Sequence, residues 1–316
     1  MGALLADIGG THARFALLAG AAPGPALTLK VAAYPTVEDA MAAALAALAP
    51  PLPCRQAVLA LAGPVEEEPV RLTNAPWTFS RTRIAARFGL AEVTLVNDFL
   101  ALAHALPHLA PGDLLPIAAG APDPAAPMLV LGPGTGLGAS LLLPGRPPRA
   151  IPTEGGHIGL APTNALEDAA VAALRADPAV AGGRAGAEEA LSGRGLARLH
   201  AMLAARMGAA VPVRDAAAVL AAVPQCPVAA ATEALFLDLL AGTAGDLALA
   251  TGARGGVFLG GGILPRLAHR LDAARFAARF AAKAPMGGYM SGIRLSLIQR
   301  PDPAFLGLAA LATLRI

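Results

Sequence analysis

The chain has few of the residues on which several common protein classes depend. Two of its 316 residues are cysteines, Cys54 and Cys226, which excludes a disulfide framework and a four-cysteine zinc site and fits a reducing cytoplasm. Aromatic residues make up 4% of the sequence and hydrophobic residues 55%, so the core must be built from Ala, Leu and Val. The formal net charge of +2 gives no reason to expect a nucleic acid or an anionic membrane as partner.

Lysine and long uninterrupted apolar runs are also scarce. Lys30 and Lys283 are the only lysines, and neither follows a glycine-rich loop, which excludes a P-loop kinase with its phosphate-binding lysine. Any phosphate would then be bound by backbone and hydroxyl groups. The longest uncharged stretch, 124–145, is interrupted by prolines and glycines and does not suit a membrane-spanning helix. We therefore expect a soluble, cytoplasmic protein.

The first fifteen residues carry the most informative motif. The apolar run Leu4-Leu5-Ala6 leads into Asp7-Ile8-Gly9-Gly10-Thr11, and apolar residues resume after Arg14. This order predicts a strand, a glycine-rich turn and a second strand. Because glycine has no Cβ, the backbone N–H groups of such a turn can approach a phosphate. The Asp7 carboxylate at the strand end suits a hydrated Mg²⁺.

A second stretch, residues 128–141, repeats this design around Gly132-Pro133-Gly134-Thr135-Gly136. A third glycine run, Gly260-Gly261-Gly262, follows an apolar strand and would let the backbone lie flat against an adenine or a ribose. By itself such a run is more often a tight turn between a strand and a helix. Two phosphate hairpins, each opening an α/β half, predict two related domains with a nucleotide between them.

Alternating strand and helix patterns predict an α/β layer architecture. Prolines between residues 107 and 127 indicate a crossing segment, and residues 166–250 have mostly helical periodicity. Four arginines, Arg266, Arg270, Arg275 and Arg279, recur along what is predicted to be one outer helix with a charged face. The other predicted elements are helices at Val37–Leu48, Arg81–Phe88, 99–106 and from Ala304, and strands at 56–62, 93–96, 256–259 and 293–298.

The pair Asn97-Asp98 ends the apolar strand 93–96, and open α/β sheets bind ligands at the carboxyl ends of their strands. Asp98 would serve as general base for a substrate hydroxyl, and Asn97 would fix a neighbouring hydroxyl. Alternatively, one of the two residues caps the helix that follows, since Asn and Asp are common at helix starts. The residues alone leave both interpretations open.

Two further segments offer polar groups for a sugar. In Glu154-Gly155-Gly156-His157 the adjacent glycines argue against a helix. In a loop, Glu154 and His157 supply an acceptor and a tunable donor for vicinal hydroxyls, and a turn with incidental polar residues is the alternative. Glu188 adds one more carboxylate beside a helix, which alone indicates only a solvated helix face.

Several short motifs follow one another along the chain: Asp7-Ile8-Gly9-Gly10-Thr11-His12-Ala13-Arg14, Leu72-Thr73-Asn74-Ala75-Pro76-Trp77, Val96-Asn97-Asp98-Phe99, Leu131-Gly132-Pro133-Gly134-Thr135-Gly136-Leu137-Gly138, Glu154-Gly155-Gly156-His157, Leu191-Ser192-Gly193 and Gly260-Gly261-Gly262. Their joint order resembles that of the bacterial ATP-dependent glucokinase family, in the hexokinase, actin and Hsp70 superfamily. The resemblance covers nearly the whole chain. It does not extend to the repressor-type sugar kinases, whose cysteine-rich zinc motif two distant cysteines cannot supply.

The resemblance implies an α/β fold of the two-domain actin-like ATPase (ribonuclease H-like) type with an interdomain cleft. Residues 1–108 and 301–316 would form a small α/β domain, and residues 109–300 a large α/β domain with helical insertions. The implied enzyme phosphorylates D-glucose to D-glucose 6-phosphate with ATP and Mg²⁺, the first step of sugar catabolism. It would be a cytoplasmic homodimer with no nucleic-acid or membrane partner.

The resemblance also implies a role for each matching position. Asp98 would take the proton from the glucose 6-hydroxyl, and Asp7 would position Mg²⁺ through water. Catalysis in such a site is mainly alignment and charge stabilisation. The other sugar hydroxyls would be bound by Asn97, Glu154, His157 and Glu188, and the nucleotide by Ala6, Asp7, Ile8, Gly9, Gly10, Thr11, Gly134, Thr135, Gly136, Gly260, Gly261 and Gly262.

Three positions depart from the family pattern. His12 stands where Asn is frequent, Gly159-Leu160 stands where an Asp and an aromatic residue are common, and Arg194 replaces a usual Pro. We expect the second departure to loosen the loop that carries His157. None of the three removes a predicted catalytic group.

Two other functions remain open alongside glucose phosphorylation. One is a kinase of another or broader sugar range, such as mannose or fructose, with the same chemistry. The other is a non-catalytic sugar sensor on the same fold, against which Asp98 and two intact glycine hairpins argue. The phosphoryl donor also stays open between ATP, which the third glycine run favours, and ADP or polyphosphate.

Overall fold

The computed structural model describes residues 2–18, 20, 22–51, 53–72, 76–212 and 214–314. By contacts within the chain it divides into two compact units. Unit 1 comprises Met1–Pro111, Gly145–Pro152 and Arg300–Ile316, and unit 2 comprises Gly112–Pro144 and Thr153–Gln299. The domain limits 1–108 with 301–316 and 109–300 stay a prediction. Strands and helices occur in both units, which confirms the α/β class.

Thirteen strands and twelve α-helices occur among the described residues. The strands are β1 (Gly2–Ile8), β2 (His12–Leu18), β3 (Leu27–Lys30), β4 (Cys54–Leu61), β5 (Val70–Arg71), β6 (Thr78–Phe79), β7 (Glu92–Asn97), β8 (Leu114–Ala119), β9 (Met128–Pro133), β10 (Leu137–Leu143), β11 (Arg149–Thr153), β12 (Gly256–Leu259) and β13 (Arg294–Ile298). The helices are α1 (Val37–Leu48), α2 (Arg81–Phe88), α3 (Asp98–Ala105), α4 (Ala165–Ala176), α5 (Ala187–Ala190), α6 (Gly193–Arg206), α7 (Ala216–Ala222), α8 (Pro227–Thr251), α9 (Leu264–Leu267), α10 (Ala273–Ala281), α11 (Gly287–Ser291) and α12 (Ala304–Thr313).

Unit 1 is built on a mixed sheet with the strand order β3-β2-β1-β4-β7. Strands β1 and β2 form an antiparallel hairpin, while β1, β4 and β7 run parallel. The register places Ile8 beside Leu61 and Leu61 beside Asn97. The carboxyl ends of three parallel strands therefore meet at one edge, where open α/β sheets bind their ligands.

Alternate residues of β1 enter different cores, because successive side chains of a strand point to opposite faces. Leu4 packs in a cluster with residues of α1 and α2, whereas Leu5 packs with residues of α3 and α12. Helices α3 and α12 approach closely at Gly307, where a Cβ would lie 1.8 Å from the carbonyl oxygen of Ala101. This contact, which needs glycine, fixes α3 and hence the position of Asp98 at its start.

Within unit 2 the strands pair in the order β10-β9-β12-β13-β8. Strands β9 and β10 form an antiparallel hairpin, and β12 runs parallel to β9 and β13. A single large apolar cluster joins this sheet to α4, α6, α8 and α10. The second glycine hairpin and the end of β12 are thereby placed side by side.

Helix α8 is, among the described residues, the one helix long and apolar enough to cross a membrane, and 61% of its most apolar stretch is buried inside the structure. Such burial is also found in the core helix of a globular domain. A single helix of this kind is weak evidence for a membrane span.

The proline-rich segment 107–127 contains the boundary between the two units at Pro111 and Gly112, in agreement with the predicted crossing segment. It also contains a strand that was not predicted, β8, which pairs antiparallel with β13 at the edge of the sheet. Pro116 is tolerated there because an edge strand leaves one side of its backbone unpaired, and the register shifts beside it.

The prediction of one outer helix that carries four arginines was wrong, because the helix is not continuous. The chain forms α9, a 3₁₀ turn at Ala268–Arg270 and then α10. Its arginines do not form a free charged face, because three of them pair with carboxylates of other helices: Arg270 with Glu233, Arg275 with Asp238 and Arg279 with Glu167.

Candidate active site

The first glycine hairpin has the predicted strand–turn–strand form. The backbone N–H of Gly9 donates to the carbonyl of His12 at 3.0 Å and closes the turn between β1 and β2. Thr11 and His12 are exposed at the tip. Ala6 and Ile8 are fully buried in the core, so a contact of either residue with a nucleotide stays a prediction.

Asp7 lies near the end of β1, directly across the sheet from Arg14. The Arg14 guanidinium is 3.7 Å from the Asp7 carboxylate and 3.1 Å from that of Asp302, which precedes α12. Burial raises the pKa of Asp7, and Asp302 raises it further, while Arg14 opposes both effects. One arginine thus holds two carboxylates at this edge of the sheet.

Asn97 is the N-cap of α3. Its side-chain oxygen accepts hydrogen bonds from the backbone N–H groups of Phe99 and Leu100, at 2.9 and 3.2 Å. Its amide nitrogen donates to the carbonyl of Gly63 at 3.3 Å. The cap interpretation is therefore correct for Asn97, which binds two backbone N–H groups of the first turn of α3.

Asp98 is the first residue of α3 and is half-buried. One oxygen of its carboxylate accepts the N–H of Phe99 at 2.9 Å. Burial raises the pKa of Asp98 to about 7, and the negative charge of Asp7 adds to the rise, whereas backbone hydrogen bonds lower it. A carboxylate with a pKa near neutrality is suited to accept a proton in one step and release it in the next.

In unit 2 the second glycine hairpin and the third glycine run are in contact. The backbone N–H of Gly260 donates to Leu131 at 2.9 Å, and a Cβ at Gly132 would lie 2.1 Å from the carbonyl oxygen of Gly260. Gly261 has a φ of +83°, and a Cβ there would lie 2.5 Å from the carbonyl of Pro133. Glycine is therefore required at Gly132 and at Gly261. The third glycine run packs closely against the second hairpin and is not only a turn between a strand and a helix.

The tip of this hairpin is open. Thr135 is exposed, and a Cβ at Gly134 or at Gly262 would have no neighbour within 4 Å among the described residues. A backbone that is closely packed on one side and open on the other fits a flat or anionic ligand. The fit supports a nucleotide here, as the sequence predicts.

Glu188, in the short helix α5, reaches the second glycine hairpin. Its Oε2 accepts the backbone N–H of Leu137 at 2.9 Å, and a Cβ at Gly136 would lie 2.3 Å from the same oxygen. The other oxygen, Oε1, is 3.5 Å from the Arg194 guanidinium. The solvated-face interpretation of Glu188 is therefore wrong.

Glu154 and His157 lie on an exposed turn, with 77% and 62% of their side chains accessible and 3.7 Å between Oε2 and Nε2. The turn is a 3₁₀ helix at Gly155–His157, which agrees with the prediction that the glycines prevent an α-helix. A Cβ at Gly156 would lie 2.0 Å from the carbonyl of Leu137, so this turn packs against the hairpin.

The loop beyond His157 is bound to the start of α5. The N–H of Ala187 donates to Ile158 at 2.7 Å, and the N–H of Leu160 donates to Ala185 at 3.1 Å. The side chain of Leu160 packs against the core of unit 2. The expected loosening at Gly159-Leu160 is thus opposed by these contacts, and the three sugar-binding candidates of unit 2 lie on connected segments.

The donor set fits a hydrated Mg²⁺ better than a fully protein-bound metal ion. Among the described residues no group of three or more His, Cys, Asp or Glu side chains could hold a metal ion. Mg²⁺ keeps several waters and commonly takes one or two carboxylates plus substrate phosphates, and Asp7 is partly accessible at the strand end. Thr73, Asn74 and Ala75, which belong to a motif of the family resemblance, lie outside the described residues.

Sequence reasoning missed the ion pairs of Asp302 and Arg194. Asp302 stands between two prolines and has a φ of +47°, which is uncommon for a non-glycine residue. The Pro-Asp-Pro order marks an irregular backbone, yet nothing in it points to Arg14. Arg194 stood out only as a departure from the family pattern.

Comparison with known proteins gives a consistent result over the whole chain. The family model described as Glucokinase matches residues 4–315. A glucokinase of Cupriavidus pinatubonensis is 43% identical over 315 residues, which cover 97% of this chain and 90% of that protein. A glucokinase of Paramagnetospirillum magneticum is 39% identical, with 98% and 97% covered.

A solved structure agrees with these relatives in fold. The crystal structure of a glucokinase from an Antarctic psychrotroph has a TM-score of 0.86 and 36% sequence identity to this chain. The match covers 98% of this chain and 98% of the chain in that structure.

Proposed function

This chain belongs to the glucokinase family and phosphorylates glucose, and we propose that Asp98 is the base of this reaction and ATP the donor. The observation that carries the proposal is the carboxylate of Asp98, which stands where β7 ends and whose pKa is raised to about 7. A general base is most effective when its pKa lies near the working pH.

The proposed chemistry is a direct phosphoryl transfer. The glucose 6-hydroxyl oxygen forms a bond to the γ-phosphorus of ATP as the bond from that phosphorus to the bridging oxygen breaks, and ADP leaves with this oxygen. Asp98 takes the hydroxyl proton. Most of the catalytic effect then comes from alignment of the two reactants and from stabilisation of charge on the transferring group.

We propose that Asn97, Glu154, His157 and Glu188 bind the remaining sugar hydroxyls. Asn97 uses its side-chain oxygen for the α3 cap, so its free amide hydrogen is the group left for a hydroxyl. Glu154 and His157 present an acceptor and a donor on one exposed turn. Carboxylate and imidazole groups suit vicinal hydroxyls because they pair with both hydrogens and lone pairs.

The nucleotide is proposed to bind the backbones of 6–11, 134–136 and 260–262. The support is the close packing of Gly132 against Gly260, which leaves an open tip on the other side. Asp7 is proposed to hold Mg²⁺ through water. Bound Mg²⁺ would neutralise negative charge on the phosphates.

We further propose a cytoplasmic homodimer. Cys54 and Cys226 are both free thiols, as expected in a reducing compartment. The dimer rests on the family resemblance alone.

The raised pKa of Asp98 predicts a pH-dependent rate. Because the base must be ionised, kcat/KM for glucose should rise with pH through about 7 and then level off. A carboxylate with the ordinary value of 3.8 would give a flat profile from about pH 5.5 to about pH 8. Steady-state kinetics at constant ionic strength decide between the two, and a flat profile would remove Asp98 from the role of titrating base.

Glucose and mannose differ only in the orientation of the hydroxyl at carbon 2, and comparison of the two tests the sugar range. A hydrogen bond between a charged side chain and a sugar hydroxyl contributes about 1.5–3 kcal/mol. If the reoriented hydroxyl of mannose loses such a bond, kcat/KM for mannose should be about tenfold or more below that for glucose. Both constants are measured with the same coupled assay for ADP. Equal values for the two sugars would instead support a hexokinase of broader range.

A further inference from the structure

Arg194 lies at the tip of the second glycine hairpin although it is remote from it in sequence. It is the second residue of α6, and the preceding residue, Gly193, donates its backbone N–H to the carbonyl of Gly134 at 2.9 Å. This hydrogen bond fixes the start of α6 against the hairpin. The Arg194 side chain is 67% exposed, so most of it is accessible to a ligand.

A negative charge already occupies this hairpin. The carboxylate of Glu188 accepts the N–H of Leu137 at 2.9 Å and touches Gly136. A phosphate that approached the same backbone would be repelled by it, because like charges a few ångströms apart interact strongly at a partly buried site. A hairpin with Glu188 alone would therefore be a poor phosphate site.

Arg194 supplies the compensating positive charge. In the described part of the chain it is the cation that pairs with Glu188, at 3.5 Å from Oε1. A guanidinium carries five N–H donors in a planar fork, and this single long contact uses one of them. The remaining donors can bind phosphate oxygens in pairs, which is the geometry that arginine favours.

We propose that Arg194 binds the phosphates of the nucleotide at hairpin 134–136, with Glu188 holding its guanidinium in place. The proposal rests on the proposed function only in placing a nucleotide at this hairpin. It changes the expectation that backbone and hydroxyl groups alone bind phosphate.

The test is calorimetric titration of ATP and of adenosine without sugar. Arg194→Gln should weaken ATP binding about tenfold, the usual effect of losing one charge-assisted contact. Adenosine, which has no phosphate, should bind the variant and the wild type alike. Arg194→Lys keeps the charge but loses the planar fork of donors, so its affinity for ATP should lie between those of the wild type and Arg194→Gln. The defect should shrink at high salt, since an exposed ion contact is screened.

Arg206→Gln is the matched control, because it removes the same charge from the exposed end of the same helix. It should leave the affinity for ATP unchanged. An Arg194→Gln variant that binds ATP as tightly as the wild type would overturn the proposal. So would an equal loss for adenosine, because that result means a distorted site rather than a lost phosphate contact.

Binding without sugar separates this proposal from the proposed function. A chain that binds ATP through Arg194 but does not phosphorylate glucose would contradict only the proposed function. A chain that phosphorylates glucose with unchanged ATP affinity in Arg194→Gln would contradict only the role of Arg194. A wild type that binds no ATP would overturn both.

Discussion

Replacement of Asp98 by Asn lowers kcat for glucose phosphorylation by about a hundredfold or more, the usual effect of removing a positioned general base. The amide has nearly the shape of the carboxylate but cannot take the proton of the 6-hydroxyl. The start of α3 should stay intact, because its cap is supplied by Asn97. The measurement is kcat at saturating glucose and ATP.

The matched control is Glu92→Gln, which removes an exposed carboxylate from the other end of the same strand, β7. It should leave kcat unchanged. A folded Asp98→Asn variant that keeps kcat within tenfold of the wild type would contradict the role of Asp98 as base.

Thermal stability distinguishes a lost base from a damaged fold. Because the pKa of Asp98 is raised from 3.8 to about 7 in the folded chain, the folded state binds this proton more tightly than the unfolded state. The wild type therefore loses stability as pH rises from about 4 to about 7. Asp98→Asn has no such loss, so its stability relative to the wild type should increase over that window.

Replacement of Glu167 by Gln should lower the free energy of unfolding by about 3–5 kcal/mol, the usual cost of breaking a buried ion pair from one side. Glu167 is 1% exposed, and it accepts hydrogen bonds from Thr163 and from Arg279 of α10. The variant leaves the Arg279 guanidinium buried without its countercharge. One of its nitrogens, Nη1, already has no hydrogen-bond partner among the described residues. Urea unfolding measures the effect.

A surface pair provides the control for this prediction. Arg254 pairs with Asp123, and 53% of its side chain is exposed. Arg254→Gln should cost no more than about 1 kcal/mol. The double variant Glu167→Leu/Arg279→Met removes both buried charges and should recover most of the lost stability. A Glu167→Gln variant as stable as the wild type would show that the pair contributes nothing.

Elements with strong local signals could be predicted from the sequence. Helices α1 and α2 have the predicted limits because Thr36 and Ser80 cap their first turns and their last turns close on Ala49 and Gly89 in the left-handed conformation. The two glycine hairpins were predicted because apolar strands flank a turn that only small residues allow. Capping and turn chemistry act within a few residues, so the sequence carries them directly.

Contacts between distant residues could not be predicted in this way. Pro116 locally indicates an interruption of regular structure, yet its strand, β8, forms by pairing with β13, which is far along the chain. The carboxylate of Glu188 is 51 residues from the N–H that it binds. Its pairing with the hairpin follows from how α5 packs, which no local pattern records. The same is true of the raised pKa of Asp98. Its causes are the burial of Asp98 and the nearby charge of Asp7, and both depend on how the sheet brings distant segments together.

The most direct test of the central claim is product formation by the purified wild-type chain with glucose and Mg-ATP. We expect glucose 6-phosphate and ADP to appear in equal amounts, and neither to appear when glucose is omitted. ADP released without glucose 6-phosphate, or ATP that binds while glucose stays unchanged, would contradict the central claim.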